Sequence, residues 1–273
     1  MNMKRNVTRW IILSILIGIV IASILVDIFA GSMITESNAM IRLQPPSFTH
    51  FFGTDGYGRD VFLRVLSAAK ISIVSSLVVV VVAASIGIFT GMVSGYFEGI
   101  LDEGLMMICD LFLAFPQMIL AIVIAGVFQG GLFSAMVALT LSDWMVFARI
   151  TRSSVFKQKQ ELYVTASKFS GLSDFEILWR HILPNIRNLL MVTFTLNFAS
   201  MLLNLASLSF LGIGVKIPTA EWGSMISEGR QYLNSAPWIV VFPCIAIFTT
   251  VLLIHLLAKT FEKNKGERNA QLD

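Results

Sequence analysis

Charged side chains are scarce in this sequence. Lysine, arginine, aspartate and glutamate together supply 14% of its 273 residues, against about 25% in a soluble globular domain, and the mean hydropathy is +0.78. The shortage excludes a soluble globular chain. Also missing is any Gly-x-x-x-x-Gly-Lys-[Ser/Thr] phosphate loop, so the chain is not expected to hydrolyse ATP and no catalytic residue is assigned. The three histidines, His50, His181 and His255, lack metal-ligand spacing, and no metal site is expected. Pairing His255 with Ser94 as an intramembrane protease finds no further support along the chain. The two cysteines, Cys109 and Cys244, both lie in apolar runs. They cannot build a water-exposed disulfide framework and read as buried thiols.

Apolar length is what the sequence has in abundance. Six stretches are long enough to cross a bilayer: 10–30, 71–97, 105–127 with a kink candidate at Pro116, 132–148, 189–215 and 238–258. The first could be a signal peptide, but no small-residue cleavage site follows it and the run is long, so it reads as a retained span. The expected fold class is therefore an all-α membrane protein. It would have a short N-terminal segment 1–9, a first span, an outer loop 31–70, a core 71–258 and a charged tail 259–273. Basic residues set the orientation. With the N-terminus inside, fourteen of the 20 Lys and Arg fall on the inner side, among them Lys263, Lys265 and Arg268 of the tail. By the positive-inside rule both termini face the cytoplasm.

Three polar interruptions carry the candidate sites. The largest lies within the segment 149–188 and runs from Thr165 to Asn185. Gly171 breaks it, because glycine takes the positive φ that ends a helix. Ser173 and Glu176 then have capping-box spacing, and Pro184 is expected to stop or restart the next helix. The second is Phe52-Gly-Thr-Asp-Gly-Tyr-Gly-Arg-Asp60, a tight loop in which Asp55 or Asp60 should pair with Arg59 or Arg64. The third, 212–237, reads as an amphipathic re-entry region. Within the spans, Asp110 is expected to make a helix–helix hydrogen bond. Asp143, Asn197 and Asn204 are candidates for a translocation path, the two asparagines lying seven apart on one helical face. They could equally join helices.

These stretches resemble one family. Thr165-Ala166-Ser167-Lys168, Gly171 and Ile182-Leu183-Pro184 stand where the EAA loop of ABC-importer permeases has Glu-Ala-Ala, Gly and Ile-Leu-Pro. Thr165 replaces the family's Glu and Ser167 its second Ala. Gly53, Thr54, Asp55, Gly58, Arg59 and Asp60 match in full the Gly-Thr-Asp-x-x-Gly-Arg-Asp signature of peptide- and nickel-type permeases. Ala206 to Gly214, Pro218-Thr-Ala-Glu-Trp-Gly223, Gly229-Arg-Gln-Tyr232 and Ala236-Pro-Trp238 also look like the second permease subunit of dipeptide, oligopeptide and nickel importers.

The resemblance implies the type I permease fold of six membrane helices. It also implies a heterodimer with a homologous permease, two cytoplasmic ATPase subunits that bind ATP and Mg, and an extracytoplasmic binding protein. Nucleic acid is not among the expected partners. Thr165, Ala166, Ser167, Lys168, Gly171, Ser173, Asp174 and Pro184 would form the ATPase-coupling loop. The stretch Thr165 to Gly171, which lacks the Glu, residues 218–223 and a polar residue at 143 look more like the nickel-type branch. The expected cargo is thus nickel, cobalt or a metal chelate, with di- or oligopeptides as the alternative.

Overall fold

The computed structural model describes residues 2–262; Lys263, Lys265, Arg268 and the rest of the tail lie outside the described residues. The described residues are helical almost throughout, with a single isolated β-bridge between Thr54 and Asp60. Two long helices lead, α1 (Asn2–Thr35) and α2 (Val61–Phe97). Then come α3 (Gly99–Leu113), α4 (Gln117–Val127), α5 (Leu132–Lys159) and the short α6 (Leu162–Phe169). A first turn α7 (Asp174–Glu176) runs through a π-helical stretch, Ile177–Ile182, into α8 (Leu183–Phe210). The described residues end with α9 (Trp222–Gly229) and α10 (Trp238–Phe261).

Five helical stretches are long and apolar enough to cross a membrane, and the bent pair α3–α4 makes a sixth if it counts as one span. The kink expected at Pro116 within 105–127 is a full break, and the helical stretch begins at Gly99, ahead of 105. Pro116 takes the N-cap of α4, and the two halves meet at 89°. Proline cannot supply the N–H that would continue the ladder, so the break falls at that residue.

The loop expected over 31–70 is shorter, because α1 continues to Thr35 and α2 starts at Val61, where the Asp60 side chain accepts from the Leu63 N–H at 3.0 Å. Pro184 stands in the first turn of α8, where the α-helix restarts after the π-helical stretch, within a helical run that continues over 174–210. The π-helical stretch before it lets the run continue. A wider turn relieves the clash of the proline ring with the carbonyl one turn back and tolerates its missing N–H.

The frame of the bundle is the α2–α5 seam. Gly87, Gly91 and Gly95 lie four residues apart on α2. A Cβ at each would stand 2.2, 2.4 and 2.5 Å from the carbonyl oxygens of Trp144, Ala148 and Arg152 on α5. Backbone therefore meets backbone at three successive points along just over two helical turns, the close approach that small residues permit in lipid. At one end of the seam, Arg152 grips Asp102 of α3 through two bonds of 2.5 and 2.6 Å, while Ser94 donates to the same carboxylate. Asp110 meets Arg149 of α5 in an exposed pair, so its inter-helix role is ionic.

Candidate functional site: a hairpin and a buried ionic clamp

The polar interruption at 165–185 folds as a hairpin. Gly171 sits at φ +79°, where a residue with a Cβ is strained. Its N–H donates to the Lys168 carbonyl at 3.0 Å. The capping box is complete: Ser173 Oγ accepts from the Glu176 N–H at 3.3 Å, and Glu176 Oε2 accepts from the Ser173 N–H at 3.2 Å.

The hairpin has two faces. Val164, Ile177, Leu178 and Ile182 are buried in one cluster with Met92 and Tyr96 of α2 and Val155 of α5. Ser167 is buried beside them, its hydroxyl donating to the Tyr163 carbonyl at 2.8 Å. Tyr96 is the fastening point. Its hydroxyl donates to Asp174 at 2.5 Å, its carbonyl accepts from Lys159 at 2.6 Å, and the Lys168 ammonium lies 5.1 Å from its ring centroid. The opposite face exposes Thr165 and Ala166 together with Leu162, Phe169 and Phe175. Phe169 is 89% exposed. Among the sequence candidates, the hairpin thus gathers Thr165 to Asp174 in one place. Pro184 stands ten residues beyond Asp174, in the first turn of α8.

At the other end, the Gly-Thr-Asp loop forms a buried ionic cluster. Arg59 donates through Nε to Asp55 at 2.7 Å and through a terminal nitrogen to Glu228 at 2.5 Å. Arg64 stands 3.5 Å from each of the same two carboxylates and donates to the carbonyls of Ile34 and Pro218. Asp55 also accepts from the N–H groups of Tyr57 and Arg59 at 2.8 and 2.9 Å. Of the two acids, then, Asp55 binds both arginines. Asp60 pairs with neither: it caps α2 and meets His50 at 2.8 Å.

Backbone constraints complete the loop. Gly58 sits at φ +77°, where a Cβ would strike the Asn38 carbonyl. Gly53 packs against Trp238, whose indole donates to the Thr54 carbonyl at 3.1 Å, and the buried Thr54 hydroxyl donates to Ile41.

Glu228, on α9, is the member that the sequence reading missed. No signal in the sequence pointed to it, because Asp55 and Asp60 already balance Arg59 and Arg64 there. A second buried acid, Glu221, caps α9: its carboxylate accepts from the Ser224 N–H at 2.9 Å and from the Ser72 hydroxyl at 3.1 Å. Burial pushes its carboxyl up from the usual range, opposed by those hydrogen bonds.

The intramembrane candidates do not converge. Asp143 is buried in α5, one oxygen accepting from Gln117 of α4 at 3.2 Å. Asn197 donates at 3.0 Å to the Thr193 carbonyl on its own helix. Asn197 and Asn204 are half-buried, at the edge of an α8 face that exposes Leu196, Ser200, Leu203 and Ser207. Ser94 is committed to Asp102, and His255 contacts the Val251 carbonyl.

Residues 87–266 match the family described as binding-protein-dependent transport system inner membrane component. The chain is 35% identical over 256 residues to the dipeptide transport system permease protein DppC of Alkalihalophilus pseudofirmus, covering 94% of this chain and 84% of that one. It is 41% identical over 212 residues to the glutathione transport system permease protein GsiD of Escherichia coli O157:H7, covering 78% and 70%. A chain of the inward-facing MetNI methionine ABC transporter superposes with a TM-score of 0.62 at 16% identity, covering 74% of this chain and 98% of that one. At that identity the fold is what the two share. The chain belongs to the binding-protein-dependent transport system inner membrane components, and it is a permease subunit of an ABC importer.

Proposed function

We propose that this permease carries short peptides, with its N-terminus and the 162–176 hairpin in the cytoplasm and the Gly-Thr-Asp loop outside. The observation that carries the substrate reading is the extended similarity to permeases named for a dipeptide and for glutathione, itself a short peptide. Two of the features that favoured a metal chelate have local structural explanations, and the third, Asp143, is buried and accepts a hydrogen bond from Gln117. Thr165 is exposed on the hairpin, and the 218–223 stretch supplies the buried cap of α9. Neither reports on cargo. Uptake distinguishes the two. In cells holding the importer as their only route, a labelled dipeptide should accumulate saturably. Labelled nickel, with or without a chelator, should not. Nickel uptake without peptide uptake overturns the reading.

The mechanism follows from the two faces of the hairpin. The family transports in dependence on a binding protein; here a homologous permease completes the pathway, and two ATPase subunits bind ATP and Mg. Leu162, Thr165, Ala166, Phe169 and Phe175 form the surface that an ATPase groove would take. Thr165 lacks the charge of a glutamate and Lys168 turns toward Tyr96, so docking leans on apolar packing. Closure of the ATPases pushes the hairpin. Tyr96–Asp174 and the buried aliphatic cluster pass the displacement to α2 and α5, and the glycine seam keeps those two moving as one body.

Gly171→Pro tests the coupling. Proline fixes φ near −65°, against the observed +79°. The variant should insert and assemble, and hydrolyse ATP in proteoliposomes with uptake per ATP sharply reduced. Wild-type uptake per ATP would remove the hairpin from the coupling path.

A further inference from the structure

The inner half of the bundle contains a groove with no role in the proposal above. It is about 420 Å³ in volume and almost wholly apolar. Leu13, Ile17 and Ile21 of α1 form one wall, Phe194 and Phe198 of α8 the other, and Phe261 of α10 closes one end. From Leu13 to Ile21 the groove runs about 12 Å at 1.5 Å per residue, close to one leaflet of a hydrocarbon core about 30 Å thick.

Its mouth is basic. Arg9 lies one helical turn before Leu13, on the same stripe of α1. Its guanidinium stands 4.2 Å from the centroid of the Phe261 ring, and it donates to Thr260 through two nitrogens. Arg5, a turn further on, donates to the carbonyls of Thr260 and Glu262. The guanidinium at the mouth is thus held at the end of an apolar slot. A guanidinium has five N–H donors arranged to match a phosphate, and the contacts to Thr260 occupy two of those of Arg9.

We propose that this groove is a binding site for one anionic phospholipid, an acyl chain lying along Ile17 and Ile21 with the headgroup phosphate at Arg9 and Arg5. The shape selects a chain. A groove of about 420 Å³ spread along about 12 Å has a cross-section of about 35 Å², against about 80 Å² for a helix about 10 Å across with its side chains. The charge selects an anionic headgroup, because a juxtamembrane arginine attracts anionic over zwitterionic lipid. Bound there, the lipid would tie α1 to α8 and α10 and fix the first helix against the core.

The test uses the assembled importer in liposomes of phosphatidylethanolamine and phosphatidylglycerol. Either lipid carries a diazirine at the end of one acyl chain, and labelled peptides are read by mass spectrometry. Phosphatidylglycerol should label 13–21 and 191–198 in preference to the exposed face of α10. Ile21→Trp, which fills the groove, should bring that labelling down to the level of the α10 face. Arg9→Gln should reduce the preference for phosphatidylglycerol over phosphatidylethanolamine about fivefold, the effect of one juxtamembrane charge. Three results would each overturn the proposal: even labelling of all lipid-facing helices, equal labelling by the two lipids in the wild type, or a groove unlabelled because the neighbouring permease covers it. If Ile21→Trp fails to assemble, the two-lipid comparison and Arg9→Gln still decide.

Discussion

Gly91→Leu will prevent the importer from accumulating in folded form, although it only adds an aliphatic side chain to an apolar helix. The reason is geometric. The first added carbon would stand 2.4 Å from the Ala148 carbonyl and 2.7 Å from Thr151, and backbone cannot rotate out of the way as a side chain would. The helices must separate, and the contacts at Gly87 and Gly95 open with them. Overpacking costs about 1–3 kcal/mol where side chains can rearrange, and three coupled backbone contacts put this case at the top of that range or above it. Gly18→Leu is the matched control, since nothing lies within 4 Å of a Cβ there. The measurement is the yield of monodisperse complex after mild detergent extraction. It should collapse for Gly91→Leu and hold for Gly18→Leu. Equal yields would mean that α2 and α5 do not meet along this seam.

How far the sequence could foretell these features depends on the distance each interaction spans. The hairpin was legible because its determinants are local: a glycine at positive φ and a Ser–Glu pair three apart act within their own few residues. The signature loop was legible as a motif and half legible as chemistry. Asp55 with Arg59 is an i, i+4 pair, but Glu228 arrives from 169 residues away and no local pattern points to it. The glycine spacing on α2 stands in the sequence, yet it does not say which helix fills the gap. Hydropathy located all six apolar stretches but misplaced their ends. Apolar composition says which residues tolerate lipid, whereas helix ends are set by caps such as Asp60 and breaks such as Pro116. The turn at Ile177–Ile182 is the least legible element, because it is a whole-helix answer to Pro184.

The two aspartates of the signature loop should behave in opposite ways. Asp55→Asn is nearly isosteric, but it removes a charge shared by Arg59 and Arg64, which are 2% and 1% exposed. The cluster is balanced as it stands, two guanidinium groups against Asp55 and Glu228. With Asp55 neutral, one buried arginine lacks a counter-charge and an amide can turn its own N–H toward it. Breaking such a buried pair costs about 3–5 kcal/mol, a large part of the roughly 5–15 kcal/mol that holds a domain together. The loss should free the loop from α9 and α10, to which Glu228 and Trp238 now fasten it. Asp60→Asn should cost far less, since asparagine is as good an N-cap as aspartate and only the His50 contact weakens. Thermal unfolding of the detergent-solubilised complex separates the two. Asp55→Asn should lower the midpoint strongly, and Asp60→Asn only slightly. Adding Arg64→Met to Asp55→Asn should recover part of the loss, because it restores the charge balance; two independent sites would simply add. If the double variant is as unstable as the sum of its parts, Asp55 acts through its backbone hydrogen bonds to Tyr57 and Arg59 instead of through charge.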